Sequence, residues 1–306
     1  MSEVSIIIPT KNGGADFAQC LGMVHAQRYE GKFEVIAIDS GSTDDTLNTI
    51  KGYPTKLLTI KPEDFGHGKT RNLAARLAEG RYLVFVSQDS IPASTEWLSK
   101  LTRNFEDPEV IAVHGKQIPR KGTNPVECFF LNRTYPDYRK VSQQHTPKKT
   151  TIEDIFLSTA NAAIRRDIFE GSPFSEEVLC AIDVEWTKRM ILSGLRLKIV
   201  YDPEAKVFHS HNFTLLGVLQ KYFDYGVDQR RFMSGEYTSS KLVAGGLNHV
   251  KEEVKFLARS GNLKWIPYAH LYDFCKFLGL SLGQKERYLP LALKKQLSMH
   301  SYYWHE

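Results

Sequence analysis

The sequence predicts an α/β fold in which helices flank a mainly parallel sheet, followed by a helical C-terminal appendage. Short β-branched runs alternate with helix-like segments over the first two thirds of the 306 residues, a pattern typical of parallel strands joined by crossover helices. Several of these runs end in carboxylates, as expected at the ligand-binding edge of such a sheet. Beyond residue 212 the strand patterns fade into helical ones.

The elements follow in chain order from the spacing of their apolar residues. We predict strands at 4–9, 33–39, 56–60, 82–87, 111–116, 157–165, 197–201 and 206–209, and helices at 16–27, 43–51, 68–78, 95–104 and 183–192. The polar, proline-bearing segment 139–151 predicts a loop. We place a domain boundary at 212, so that 1–212 holds the sheet and 213–306 is helical.

Composition is ordinary for a soluble globular protein, with 42% hydrophobic and 25% charged residues. The chain enters an apolar strand directly after Met1-Ser2-Glu3 without a signal-like apolar core, which argues against secretion and favours the cytoplasm. The four cysteines show no C-x-x-C pairing, so the sequence indicates neither a disulfide framework nor a zinc site.

The net positive charge of the chain comes from its last third. Residues 213–306 carry 13 Lys and Arg against 8 Asp and Glu, and this difference equals the whole formal net charge of +5. Such a region can meet an anionic membrane surface, an acidic partner or a nucleic acid, but no nucleic-acid motif is present. Segment 285–297 is expected either to form an interfacial amphipathic helix or to pack on the catalytic domain or a dimer partner.

Two candidate binding residues follow strands early in the chain. Asp39 ends the run 35–38 and precedes a Ser-Gly-Ser-Thr turn, where its carboxylate could accept from a base N–H or a ribose hydroxyl, or cap the next helix. Arg71 follows the flexible stretch 65–68 into a helix whose N-terminus favours an anion. Its guanidinium could donate hydrogen bonds to a phosphate or a base carbonyl, or it could lie on the solvent-exposed face of the helix.

Further acidic and imidazole groups lie at other strand or helix ends. Gln88 and Asp89 follow the most apolar strand, and Mg²⁺ or Mn²⁺ prefers carboxylate and phosphate oxygens of the kind Asp89 and a bound diphosphate would supply. His209, or His211 in its place, could complete the coordination or could be a core histidine. Asp183 opens a helix, either as a general base or as an acid placed at the positive end of the helix dipole.

Six ordered motifs resemble those of the inverting family 2 glycosyltransferases of the GT-A fold, and among them bacterial rhamnosyltransferases acting on cell-surface polysaccharide. The likeness covers about residues 4–213. The motifs are Ile-Ile-Ile-Pro-Thr-Lys-Asn at 6–12, Ile-Asp-Ser-Gly-Ser-Thr-Asp at 38–44, Phe-Gly-His-Gly-Lys-Thr-Arg-Asn at 65–72, Ser-Gln-Asp-Ser at 87–90, Asn-Ala-Ala-Ile-Arg-Arg at 161–166 and the segment 201–211. The resemblance implies a Rossmann-like GT-A domain over 1–212.

The resemblance also implies roles for particular residues. Thr10, Asp39 and Arg71 would hold the nucleotide, Asp89 the metal and the diphosphate, and Asp183 would deprotonate the acceptor. From these roles together with the strand-end positions above, we predict that Thr10, Asp39, Arg71, Gln88 and Asp89 bind the nucleotide sugar and that Asp89 and His209 bind Mg²⁺ or Mn²⁺. The family's Asp-x-Asp motif is reduced here to the lone Asp89, and its Glu-Asp base motif to Ile182-Asp183. The absence of a Gln-x-x-Arg-Trp segment argues against a processive polymer synthase.

The expected activity is therefore non-processive inverting transfer, with dTDP-L-rhamnose as the donor and a hydroxyl of a cell-surface glycan or lipid-linked molecule as the acceptor. Region 213–306 would contact the acceptor, the inner face of the plasma membrane or a second copy of the chain. The alternative is a non-catalytic module of the same fold that binds a nucleotide or glycan, motivated by the missing acidic partners of Asp89 and Asp183.

Overall fold

The computed structural model describes residues 2–143, 156–193, 197–232 and 239–304, and within them the chain forms two compact units. The sheet unit comprises Met1–Ile118, Tyr135–Glu177 and Ile182–His209. The helical unit comprises Pro119–Thr134, Val178–Ala181 and Ser210–Glu306. The boundary at 212 stays a prediction, and two earlier segments join the helical unit as well.

The sheet unit is built on a mixed, mainly parallel sheet. Its described strands are β1 (Val4–Thr10), β2 (Phe33–Asp39), β3 (Lys56–Thr59), β4 (Tyr82–Val86), β5 (Ile91–Pro92), β6 (Val110–Ile118), β7 (Lys140–Gln143), β8 (Asn161–Arg165) and β9 (Lys198–Phe208). The spatial order is β3-β2-β1-β4-β8-β6-β9-β5, with β7 also paired to β9. β8 runs antiparallel to β4 and β6, whereas β9 runs parallel to β6.

Helices cover the sheet, as the alternating pattern predicts. They are α1 (Gly14–His25), α2 (Thr46–Lys51), α3 (His67–Leu77) and α4 (Trp97–Thr102), then α6 (Arg166–Gly171) and α7 (Ile182–Leu192), while α5 (Pro125–Thr134) belongs to the helical unit. Three consecutive β1 residues, Ile6, Ile7 and Ile8, are fully buried, which requires cover on both faces of the sheet. α1 buries Phe17, Cys20, Leu21 and Val24 at helical spacing.

Two local features differ from the expected elements. Lys140–Gln143 pairs with β9 as a strand inside the predicted loop, and the remainder of that prediction, 144–151, lies outside the described residues. The two strands predicted at 197–201 and 206–209 are one bulged strand, β9. Its pairing with β6 jumps from Asp202 opposite Gly115 to Val207 opposite Gln117, and a Cβ on Gly115 would lie 1.9 Å from the Ala205 carbonyl oxygen.

The helical unit contains α8 (Leu215–Phe232), α9 (Ser239–Arg259), α10 (Ile266–Gln284) and the short α11 (Leu291–Leu297). α8 and α10 approach so closely at Gly279 that a Cβ there would lie only 2.3 Å from the Leu219 carbonyl oxygen. Leu291 and Leu297 pack against a cluster that includes Phe223 and Trp304, so this part of 285–297 packs on the unit itself. Among the described residues, no helix has the length and apolar character needed to cross a membrane.

Candidate active site

The predicted site residues gather at one edge of the sheet. The carboxyl ends of β1, β2, β4, β6 and β9 meet there with the amino end of the antiparallel β8. Thr10 and Asp39 are register partners at the ends of β1 and β2, and Val86 at the end of β4 is paired with Asn161 at the start of β8. The backbone of these separate segments therefore ends at one edge of the sheet, as the strand pattern predicts.

Thr10, Gln88 and Asp39 form the part of the edge nearest β1. The Thr10 hydroxyl donates to Gln88 Oε1 at 2.8 Å, and the backbone N–H of Lys11 donates to the same oxygen at 2.9 Å. Asp39 is buried and accepts the N–H groups of Gly41 and Ser42 on Oδ2, each at 3.0 Å. Its Oδ1 is also buried and has no hydrogen-bond partner among the described residues, so it remains an acceptor for a ligand.

The loops after β1 and β2 are fastened to each other beside Asp39. Asn12 adopts a positive φ of 48°, and its side-chain oxygen accepts the N–H of Thr43 at 2.7 Å. In return the Asn12 N–H donates to the Ser42 hydroxyl at 2.8 Å. Asp44, on the same loop, accepts the N–H groups of Thr46 and Gly14. Its role is therefore structural, because it holds the two loops together near the N-terminus of α2. These bonds hold the Asp39 turn in a fixed shape.

Arg71 is buried on α3 and lies near Asp183. One guanidinium nitrogen donates to the His67 carbonyl at 3.1 Å, while Nε is buried without a hydrogen-bond partner among the described residues. Burial lowers the pKa of Arg71 to about 10, and the negative charge of Asp183 partly opposes that shift. Arg71 therefore remains cationic at neutral pH, with unused donor capacity.

Asp89 and His209 meet across the end of the sheet. His209 Nε2 lies 3.5 Å from Asp89 Oδ1. The other ring nitrogen, Nδ1, lies 2.7 Å from Gln117 Oε1, and Gln117 in turn donates to the Ser158 hydroxyl at 2.8 Å. Because Gln117 Oε1 can only accept, Nδ1 carries the proton in this contact, and Nε2 faces Asp89. An imidazole nitrogen and a carboxylate oxygen arranged in this way fit a divalent cation.

Asp183 lies in the first turn of α7, partly buried, and accepts hydrogen bonds on both oxygens. Oδ2 accepts from the Thr159 N–H at 2.9 Å and from the Thr159 hydroxyl at 3.2 Å, and Oδ1 accepts from the Val184 N–H at 3.0 Å. Burial raises the pKa of Asp183 above its ordinary 3.8, against the opposing effect of these bonds and of Arg71. A carboxylate with a raised pKa is a better proton acceptor.

A short path of hydrogen bonds places Asp183 on the same edge as Asp89. Thr159 binds Asp183, and the carbonyl of the next residue, Ala160, accepts the N–H of Ser87 at 3.4 Å, two positions before Asp89. Arg71 acts electrostatically on Asp183 from α3. All seven residues predicted from the sequence therefore lie at the edge where the strands end, and their individual roles stay predictions.

The family can be assigned from comparison with known proteins. The model of the family described as glycosyl transferase family 2 matches residues 5–172. The chain belongs to this family. It is 36% identical to the O-antigen chain rhamnosyltransferase WbaN of Salmonella anatum over 99% of its own length and 96% of that protein. It is 35% identical to RfbN of Salmonella typhimurium, which carries the same description, with the same coverage.

Solved structures share the fold at low sequence identity. The mannosyltransferase PcManGT from Pyrobaculum calidifontis, in complex with GDP-Man and Mn²⁺, is 18% identical, with a TM-score of 0.54 over 99% of this chain and 82% of that one. Residues 1–349 of Staphylococcus aureus TarS, in complex with UDP-GlcNAc, are 19% identical, with a TM-score of 0.52 over 93% and 91%. The predicted GT-A fold is thereby confirmed, and this family 2 member is a glycosyltransferase.

Two residues of the site were missed by the sequence reasoning. Gln117 lies one position beyond the predicted strand 111–116, but it follows His114, Gly115 and Lys116 rather than an apolar residue, so the sequence pattern does not single it out. Thr159 has no such signal either, because it falls inside the predicted strand 157–165, whereas β8 begins only at Asn161. Both residues act by orienting a site residue, Gln117 on His209 and Thr159 on Asp183.

Proposed function

We propose that this glycosyltransferase moves L-rhamnose from dTDP-L-rhamnose onto a hydroxyl of a cell-surface glycan or lipid-linked acceptor, with inversion at the anomeric carbon. The donor and acceptor class rest on the two Salmonella O-antigen rhamnosyltransferases, which are similar over nearly the full length of both chains. The single observation that carries the chemistry is Asp183, a partly buried carboxylate with a raised pKa on the edge that also bears Asp39 and Asp89.

Asp183 acts as the general base of the reaction. As the acceptor oxygen bonds to the anomeric carbon, its proton passes to an Asp183 carboxylate oxygen, while the bond from that carbon to the diphosphate oxygen breaks and dTDP leaves. Thr159 and Val184 hold the carboxylate in one orientation, which favours an in-line approach of the hydroxyl. Attack from the face opposite the leaving group inverts the anomeric centre.

The nucleotide is held by groups at the ends of β1, β2 and α3. Asp39 Oδ1, buried and without a partner among the described residues, accepts an N–H of the base. The free donor capacity of Arg71 meets a carbonyl or phosphate oxygen, because among the described residues only the charge of Asp183 acts on this buried guanidinium. Thr10 and Gln88 fix the position of the β1 end against β4.

A divalent cation, Mg²⁺ or Mn²⁺, would be held by Asp89 and His209 and, when bound, would neutralise charge on the departing diphosphate. Gln117 keeps His209 in the tautomer whose Nε2 faces Asp89. Asp89 offers an oxygen 3.5 Å from that nitrogen. The lone carboxylate leaves part of the coordination sphere to diphosphate oxygens, as magnesium sites with few protein ligands commonly do.

We further propose that the helical unit touches an anionic membrane surface on the cytoplasmic side, where a lipid-linked acceptor would be presented. Three apolar residues at helical spacing lie exposed on α10, namely Leu271 at 48%, Phe274 at 57% and Phe277 at 62%. The excess of positive charge in 213–306 complements acidic lipid head groups. A second copy of the chain would be the competing occupant of this face.

The donor is tested by thermal shift of the purified protein with dTDP-, UDP- and GDP-sugars in Mg²⁺ or Mn²⁺. We expect selective stabilisation by dTDP-L-rhamnose, followed by rhamnose transfer to a lipid-linked acceptor with inverted configuration by NMR. Selective stabilisation by a GDP-sugar would overturn the donor assignment. Donor binding without transfer to any of a panel of acceptors would instead favour the non-catalytic module.

A further inference from the structure

A second group of metal-ligating side chains lies inside the helical unit. His249 and Glu253 are one turn apart on α9, and Asp273 faces them from α10. One ligand atom from each of the three lies within 4.8 Å of the other two, and His249 Nε2 is 3.5 Å from Asp273 Oδ1. The His249 ring packs edge-on against Phe129 on α5, with the ring centroids 5.2 Å apart, which fixes its direction.

Most of the polar atoms that converge here are buried and make no hydrogen bond. His249 Nε2, Asp273 Oδ2 and both carboxylate oxygens of Glu253 lack a hydrogen-bond partner among the residues that the structure describes. Glu253 is completely buried, at 0% exposure. Burying a carboxyl group without a partner is costly, and three side chains that share this condition at one point indicate a ligand that satisfies them together.

The nearby lysine compensates only part of this charge. Lys276 Nζ lies 3.1 Å from Asp273 Oδ1 and stacks over the Tyr272 ring at 4.8 Å from its centroid. It therefore pairs with one oxygen of one acid. Among the described residues no cation makes a hydrogen bond to Asp273 Oδ2 or an ion pair with the Glu253 carboxyl, on which Lys276 acts only from a longer distance, so the cluster has room for one more positive group.

We propose that His249, Glu253 and Asp273 form a binding site for a divalent transition-metal ion, with Zn²⁺ as the best match, that fastens α9 to α10. One imidazole nitrogen and two carboxylate oxygens are a ligand set that zinc accepts, and water would complete the four-coordinate shell. The site belongs wholly to the helical unit and is separate from Asp89 and His209 of the sheet unit. Its role is structural, because a bound ion would link two helices that otherwise bury unpaired acids.

The site is tested on the full chain by stripping metal with a chelator, reloading with Zn²⁺, removing free ion and measuring zinc per chain by mass spectrometry. We expect His249→Ala and Glu253→Gln each to lose one zinc equivalent that His209→Ala retains. In the unmodified protein Zn²⁺ should raise the Tm, and this rise should be absent from Glu253→Gln. Because glutamine has nearly the same shape as glutamate, we expect Glu253→Gln to fold, and circular dichroism checks this.

Glu252→Gln is the matched control, because Glu252 precedes Glu253 on the same helix and pairs with Lys255 on the surface. It should keep the zinc equivalent and the Tm rise. Loading with Co²⁺ adds a direct readout, since the visible absorption of the bound ion should change in His249→Ala and not in Glu252→Gln. Zinc content, Tm rise and Co²⁺ spectrum that are all unchanged in His249→Ala and Glu253→Gln would overturn the proposal and leave a proton-sharing acid cluster.

Discussion

Thr159 donates both its backbone N–H and its hydroxyl to Asp183 Oδ2, at 2.9 and 3.2 Å. This double contact fixes the direction of the proposed base before any substrate binds.

Because Asp183 is the proposed general base, we expect Asp183→Asn to lower kcat about 10²–10⁴-fold, the usual contribution of such a group, while the Kd for dTDP stays within twofold of the unmodified value. Steady-state rates and calorimetric titration with dTDP measure the two effects.

The matched control is Asp167→Asn, since Asp167 pairs with Arg165 at the other end of β8 and should leave kcat unchanged. Because Asp183 must be deprotonated to act and its pKa lies above 3.8, kcat in the unmodified enzyme should rise with pH through that raised pKa. An Asp183→Asn enzyme that retains full turnover would remove Asp183 from the mechanism.

Asp39→Asn should weaken nucleotide binding without unfolding the protein. The amide oxygen can keep accepting from Gly41 and Ser42, whereas the amide nitrogen takes the place of the buried Oδ1 and turns an acceptor into a donor. Loss of one hydrogen bond to a charged group corresponds to a Kd for dTDP raised about 10-fold or more. Asp45→Asn is the control, and equal loss of affinity in both variants would contradict the role of Asp39.

Gln117→Ala tests the metal assignment through a positioning residue. Without Gln117 Oε1 the His209 ring loses its fixed tautomer, so the concentration of Mn²⁺ for half-maximal activity should rise about 10–100-fold, as for other outer-shell partners of metal ligands. Activity at saturating Mn²⁺ should fall much less. The exposed Gln296→Ala should behave as the unmodified enzyme. A fall in kcat at every Mn²⁺ concentration with no change in metal dependence would show that Gln117 does not act through a metal.

We expect Asp224 to make the stability of the protein depend on pH. Burial raises the pKa of Asp224 to about 7, although the Met299 N–H donates to it at 3.0 Å. A carboxyl group that binds its proton more tightly when folded stabilises the fold below the unfolded pKa of 3.8, and that contribution is lost as pH rises towards 7. Between those values the free energy of unfolding should fall by about 2–4 kcal/mol from this group.

Urea unfolding of Asp224→Asn between pH 4 and 8 measures this contribution by difference. We expect the variant to lose the part of the pH slope that Asp224 supplies, so that its stability relative to the unmodified protein improves as pH rises. Identical slopes in the two proteins would show that Asp224 titrates in the folded state as it does in the unfolded one.

Phe274→Ser with Phe277→Ser should abolish binding to vesicles of phosphatidylglycerol and phosphatidylethanolamine. Removing two exposed aromatic rings from α10 takes away apolar area that would enter the lipid interface, while the charge of the unit is unchanged. Leu57→Ser, at an exposed position on β3 of the sheet unit, is the control and should still sediment with vesicles. A dimer in solution that the double variant converts to monomer would assign the face to a second copy instead.

Much of the sheet and its site could be predicted from local pattern. Asp39, Asp89 and His209 each follow an apolar run, and strands in a parallel arrangement must bring such positions to a common edge. Thr159 could not be found in this way, because it acts through a contact between the start of β8 and α7 that only the folded chain creates.

The extent of the helical unit was not predictable for a similar reason. Segment 178–181 belongs to it because buried Asp228 of α8 accepts the N–H groups of Leu179, Cys180 and Ala181 at 2.8–2.9 Å. A lone acid in a helical pattern reads as a solvent-facing residue, and its true environment depends on a partner 47–49 positions away.

The order of strands across the sheet has a consequence for synthesis on the ribosome. β1, β2, β3 and β4 are spatial neighbours, and all of them lie within the first 86 residues, whereas β6 must wait for β8 and β9. A nascent chain can therefore assemble the Thr10 and Asp39 end of the sheet early, from contacts of short sequence separation. The half that carries Asp183 and His209 can close only after β9 has been synthesised, at Phe208, so the proposed base and metal ligands come together later than the proposed nucleotide-binding end.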